Sequence, residues 1–234
     1  MQKRRNRVSR KYYFLAAEMI CYITFLSIDL GMMCNFFSKS YAMASELVKY
    51  LSVLLCVLYS WLGCQSLNKN DINLVRWALM FTAIADIFLL FTKWSLPGVL
   101  SFIVVQIIYA YRLLGKRKLN YILLAMIDVL LLLILNLMGI EVNALLVVAS
   151  VYGILLLHNV IYAWISYPGL SFKLGLFLLM LCDINVALQN SMPYLSSVAS
   201  LNERLLVLSH FAIWLFYLPS QVFMVLSIQD VIIA

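Results

Sequence analysis

The sequence predicts an all-α protein: a polytopic transmembrane helical bundle of eight spans, with both termini cytoplasmic. Three observations lead there. Of the 234 residues, 65% are hydrophobic and only 12% charged, whereas soluble domains are about half apolar and a quarter charged. The apolar residues gather in runs close to the roughly 20 residues needed to cross a bilayer. The basic residues fall mainly on one side of those runs, as the positive-inside rule requires.

Taken in order, the expected spans are Tyr12–Cys34, Ala42–Cys64, Leu74–Phe91, Gly98–Leu114, Leu119–Met138, Asn143–Ala163, Leu170–Leu188 and Leu205–Ile228. Residues 1–11 form a basic cytoplasmic tail, 12–228 the transmembrane domain and 229–234 a C-terminal tail. The tail MQKRRNRVSRK followed by an apolar run superficially resembles a signal peptide. The run is too long for one and lacks a small-residue cleavage pattern, so it reads as the first span. Breakers mark the connections: Asn68 to Asp71, Leu96-Pro97-Gly98, Gly139, Tyr167-Pro168-Gly169 and Met192-Pro193. The longest loop, Gln189–Arg204, is polar and serine-rich.

Orientation follows from the charges. Of the 17 lysines and arginines, all but Lys39, Lys93, Arg204 and the intramembrane Lys49 fall on the side of the N-terminus. The same asymmetry explains the net charge of +7 without nucleic acid. In a bacterial cell the expected location is the cytoplasmic membrane. The five cysteines have no C-x-x-C spacing and read as small buried hydrophobes.

Similar polar residues recur after about a hundred positions: Asp29 and Asp128, Asp86 and Asp183, Gln106 and His210. Such offsets suit tandem four-helix halves, about 12–114 and 119–228; chance among sparse polar positions is the alternative.

A carboxylate amid apolar residues costs about 3 kcal/mol on insertion scales, so each such group needs a partner or a task. At 1.5 Å rise per residue, Asp29, Lys49, Asp86, Asp183 and His210 lie roughly 8–10 Å from one end of their spans, and Gln106 about 13 Å. One polar layer is therefore expected in the bundle interior, either a site or a structural network. In the bland reading, Lys49 is the counter-ion of Asp86 and Asp183, and His210 is a core histidine bonded to a neighbour. Gln106 and Asn185 then serve as interhelical hydrogen-bond glue. Asp29 is expected to be solvated near the interface, Glu18 to form a surface pair, and Glu46 to pair with Lys49 or line an entrance. Asp128 and His158 fall outside the layer and read as structural.

Several chemistries are excluded. Two histidines at different depths do not make a histidine-based zinc site, and no metal is expected. No G-x-S-x-G elbow, Walker or dinucleotide glycine pattern occurs.

The order of motifs resembles the YhhN family of eight-span membrane proteins, which includes the lysoplasmalogenases. Its Gly-Asp, short turn, Gly, Phe and His-x-x-Tyr resemble Ala85-Asp86, Pro97-Gly98, Phe102 and Gln106 to Tyr109. Its Ser-Asp-x-x-x-Ala-Leu resembles Cys182-Asp183 to Ala187-Leu188. Its final aromatic and Gln resemble Tyr217 and Gln221, and its Lys-Pro resembles Lys49-Tyr50. The family histidine is Gln106 here. The resemblance implies hydrolysis of the vinyl ether bond of lysoplasmalogen-type lysophospholipids, without a cofactor, giving a fatty aldehyde and a glycerophospho-alcohol. Protonating the alkenyl β-carbon creates an oxocarbenium-like cation that water attacks. That chemistry needs one protonated and one ionised carboxyl, the division of labour of many two-carboxyl sites.

Asp86 and Asp183 are accordingly the expected acid and base. Lys49, Gln106, Tyr109, Asn185, His210 and Gln221 are expected to bind or position substrate and water. A small transporter with a buried polar substrate site is the alternative, favoured if polar residues continue through the other half of the bundle. Asp128 and His158 are the only polar residues expected there, and a closed half favours the enzyme. A sensor or scaffold with a structural polar layer is the third reading.

Overall fold

A computed structural model describes residues 2–64, 69–92, 94–115, 120–191 and 199–229. Asn68, Lys93, Lys116, Arg117, Lys118, the Met192-Pro193 break, the middle of the Gln189–Arg204 loop and the tail after Gln229 lie outside them. So do the side chains of Lys3, Arg4, Arg5, Arg7 and Arg204.

Among the described residues the chain is all-helical: α1 (Gln2–Met33), α2 (Ala42–Leu62), α3 (Lys69–Asp86), α4 (Ser95–Leu114), α5 (Tyr121–Leu137), α6 (Ala144–Ser166), α7 (Leu170–Ser191) and α8 (Ala199–Leu226). Each expected span corresponds to one helix. Seven are long and apolar enough to cross a membrane; α5, with 17 residues, is shorter. Its rise of about 25 Å falls slightly short of a typical 30 Å hydrocarbon core.

Local chemistry explains the helix ends. Asn120 and Asn143 accept from the amides of Leu123 and Leu146, capping α5 and α6. Asn35, with φ 59°, turns the chain after α1, and the amides of Phe36 and Phe37 close back on the Gly31 carbonyl. Gly139, with φ 83°, follows α5 in the left-handed region that glycine enters without penalty. The C-terminal carbonyls of α2 receive Arg10 and Arg76, which bond the carbonyls of Leu62, Ser60 and Trp61.

α8 is packed against α7, α2, α1 and α3, whereas α5 packs chiefly on α6 and buries only Asp128. Two glycines bring site helices close together. A Cβ on Gly98 would lie 2.8 Å from Leu89 Cγ, and one on Gly175 would lie 3.2 Å from the Ser220 carbonyl oxygen. Small residues at helix crossings are how membrane bundles gain close packing.

Pro219 interrupts α8 and leaves the Leu215 carbonyl without its helical donor. Tyr22 of α1 donates to that carbonyl at 2.9 Å. An intramembrane helix break is tolerated only when a neighbour satisfies the freed group, and here α1 does so.

Three of the cysteines are buried as expected; Cys21 is half-buried and Cys34 exposed, because it lies in the turn after α1. Glu18 forms no surface pair. It is 3% exposed and accepts from the Cys56 thiol at 3.3 Å. Asp29 is likewise buried, paired with Lys49 at 3.0 Å. Arg112, one of the basic residues counted on the side of the N-terminus, is buried in a clamp that closes one end of the bundle. Its guanidinium donates to both oxygens of Asp71 at 2.7 and 2.9 Å, and to the hydroxyl and carbonyl of Ser227 at 2.6 and 3.1 Å. Phe172 and Tyr167 present ring faces to it.

Candidate active site

Asp86 is the last residue of α3 before the backbone widens into a π-helical turn, Ile87–Phe91. Such turns inside α-helices are frequent at functional sites, because the extra residue re-aims the side chains around it. Asp86 is 4% exposed, and the hydroxyl of Tyr217 on α8 lies 2.8 Å from each of its carboxylate oxygens. No cation touches it among the described residues.

Asp183, on α7, has a matching arrangement. The Tyr152 hydroxyl of α6 donates to its Oδ2, and the residue is half-buried. The two units share one wall. Phe102 packs against both tyrosines, with centroids 5.8 Å from Tyr152 and 6.4 Å from Tyr217. Buried Cys182 lies within electrostatic reach of both aspartates, and Tyr217 within reach of Tyr152. The aspartates therefore belong to one cluster, each held by its own tyrosine.

Gln106 forms the next level of α4, one turn below Phe102. Asn159 of α6 donates from Nδ2 to the Gln106 carbonyl and to its Oε1, both at 2.9 Å. This fixes the amide through its oxygen. Where a histidine would offer a titrating ring, Gln106 offers a fixed dipole. Tyr109 and Gln221 are 1% exposed and lie one turn below Gln106 and Tyr217.

Lys49 does not serve as counter-ion to the catalytic candidates. Its ammonium lies 3.0 Å from Asp29 and 3.3 Å from Glu46, while Ser45 donates to Asp29 at 2.6 Å. It also lies 5.0 Å from the centroid of Trp214, whose ring meets Tyr217 edge-on at 5.1 Å. The lysine thus supports the site through Trp214 and Tyr217, its charge already matched by two carboxylates.

Two expected members are absent from the cluster. Asn185 bonds its own helix, donating to the Leu181 carbonyl at 2.8 Å. Two residues along an α-helix turn a side chain to nearly the opposite face, so Asn185 points away from the side occupied by Asp183. His210 is exposed and meets only Gln189, at 3.2 Å, among the described contacts. Of the two outliers, Asp128 is buried on α5, and His158 stacks on Tyr162.

The polar interior extends further than the sequence suggests. Glu18, Cys56 and Tyr109 are buried between the aspartate cluster and the clamped end, where Asp71 and Arg112 are buried in turn. The clamp seals that end with a fully bonded ion pair.

Tyr152 and Asn159 are the functional candidates that sequence reasoning missed. Their spacing of seven puts both on one face of α6, but a tyrosine hydroxyl barely disturbs an apolar pattern in a chain with 14 tyrosines.

A family model described as the YhhN family matches residues 44–228. That stretch holds both aspartates, both tyrosines, Lys49, Gln106, Asn159 and Gln221. No curated protein and no solved structure matches the chain.

Proposed function

Because the chain belongs to the YhhN family, we propose that it is a membrane-embedded hydrolase that cleaves the vinyl ether bond of lysoplasmalogen-type lipids. The observation that carries this reading is the paired geometry: two carboxyls in one cluster, each bonded by a tyrosine and neither paired with a cation among the described residues. Buried carboxyls without countercharge are expensive and mark function in membranes.

The aspartates differ in access and bonding. Asp183 is half-buried and bonded by tyrosine at one oxygen, leaving the other for a proton. As the more exposed of the two, it protonates the β-carbon of the alkenyl group in this reading. The C=C pair forms the new C–H bond, and positive charge develops on the ether-bearing carbon and its oxygen. Asp86, bonded at both oxygens, takes a proton from the water that attacks this carbon. The resulting hemiacetal collapses to a fatty aldehyde: Asp86 gives its proton to the ether oxygen, which leaves with the glycerophospho-alcohol, and Asp183 takes the proton of the hemiacetal hydroxyl. One water is consumed, and both carboxyls return to their starting states. Gln106 and Gln221 orient water or the glycerol hydroxyl. The alkenyl chain lies between helices on the bilayer side, and no cofactor is required.

Polar side chains continue through the other half of the bundle, which is the pattern expected of a transporter, but the Arg112–Asp71–Ser227 clamp closes that end and supports an enzyme, since a substrate passing through would have to break it. Both termini lie on the cytoplasmic side in this reading. Purified protein given lysoplasmalogen is expected to release fatty aldehyde, and Asp86→Asn and Asp183→Asn are each expected to abolish release without loss of folding. Aldehyde release that survives both substitutions would overturn the mechanism. If the wild-type protein cleaves no vinyl ether lipid, transport becomes the better reading.

A further inference from the structure

A hydrolase whose substrate enters from the bilayer must obtain one water per turnover from elsewhere. Four polar atoms below Asp86 are buried without a hydrogen-bond partner in the protein: Thr82 Oγ1, Tyr109 Oη, Gln221 Oε1 and Glu18 Oε2. Leaving such an atom unpaired costs about 1–3 kcal/mol, and buried waters typically bind at such groups.

The four positions follow one direction. Thr82 is one turn before Asp86 on α3, Gln221 one turn after Tyr217 on α8, and Tyr109 three residues after Gln106 on α4. Their helices meet at the clamp, where Asp71 of α3, Arg112 of α4 and Ser227, just past α8, are bonded. All three atoms therefore lie between the aspartate cluster and the clamp. Tyr109 is within electrostatic reach of Cys56, and Cys56 bonds Glu18, which extends the series to α2 and α1. Glu18 has no basic partner among the described residues, and the mechanism above leaves it without a role.

We propose that Glu18, Tyr109, Gln221 and Thr82 bind a file of internal water that supplies the hydrolytic water to Asp86 from the clamped end of the bundle. The inference rests on the hydrolase reading for its purpose, and on the four unpaired atoms for its location. A catalytic supply at Asp86 needs no opening of the lipid-facing side, so substrate and water arrive from different directions.

Two measurements test it on the full chain. The first is a structure of the protein at a resolution that shows ordered water elsewhere in it. Water bonded to at least two of the four atoms is expected, and dry density around all four overturns the proposal whether or not the protein is a hydrolase. The second is steady-state kinetics on a vinyl ether lysophospholipid with the near-isosteric pair Thr82→Val and Tyr109→Phe, alone and combined. The combined variant is expected to lose about tenfold in kcat with KM within about twofold of wild type and the melting temperature retained. Unchanged kcat, or a loss confined to KM, overturns the supply role. If any of these variants melts early, Glu18→Met replaces it under the same criteria. A wild-type protein with ordered water but no aldehyde release keeps the hydration site and sinks the hydrolase reading alone.

Discussion

The two ends of the bundle use buried charge in opposite ways. At the clamp, Arg112 meets a carboxylate at both oxygens, a serine twice and two aromatic faces, so its guanidinium is compensated on all sides. At the aspartate cluster, two carboxyls share one neighbourhood with tyrosine hydroxyls as their only hydrogen-bond partners in the described contacts. A compensated charge fastens helices, and its removal is felt as lost stability. An uncompensated carboxyl adds little to stability and remains available to exchange a proton with a substrate. On the proposed hydrolase reading, stability and chemistry are separated along the bundle axis. Lys49, neutralised by Asp29 and Glu46, behaves like the clamp although it sits beside the cluster.

The largest effect expected from this contrast is on turnover. Asp86→Asn or Asp183→Asn should lower aldehyde release by about 10²–10⁴-fold, with a melting temperature at or above that of wild type. Coupled loss of activity and fold would erase the distinction between the ends. Next comes Arg112→Ala, which strands Asp71 and should cost about 3–5 kcal/mol in detergent denaturation, while molecules that remain folded keep their KM. The double variant Arg112→Met with Asp71→Leu should recover much of that loss.

A smaller effect separates the two tyrosines from the clamp. Tyr217→Phe and Tyr152→Phe each remove one hydrogen bond to a carboxylate, about 1.5–3 kcal/mol, and should reduce kcat more than stability. If Tyr217→Phe instead acts only on the melting temperature, Asp86 belongs with the fasteners. The smallest effect is expected for His210→Ala, with kcat within about twofold of wild type because the ring is exposed and outside the cluster. A large loss there would restore histidine to the site.

The contrast was partly visible in the sequence. Hydropathy finds all eight helices because lipid leaves little freedom in the length of a span. Depth along a helix is also readable, which is why Asp86, Asp183 and Gln106 come out near one another, whereas Gln221 comes from the family resemblance alone. Rotation about the helix axis and the choice of partner are not. Asn185 shares the depth of Asp183 but not its face, and Lys49 had three carboxylates to choose from at similar depth. Glu18 and Asp29 were misjudged for another reason: a charge near a span end looks solvated until its neighbours are known. The Tyr152 and Asn159 contacts depend on how α6 is rotated against α4 and α7, and no short motif encodes that.

The Tyr22 bond to Leu215 has a consequence for modularity. α1 lies before the stretch that defines the family match. Yet it completes the proline-broken helix that carries Tyr217, supplies Asp29 to Lys49, and gives Cys56 its acceptor in Glu18. The recognisable module is thus unfinished by itself in this chain. Expressed without its first helix, it would keep both aspartates and lose the scaffold that aims one of them.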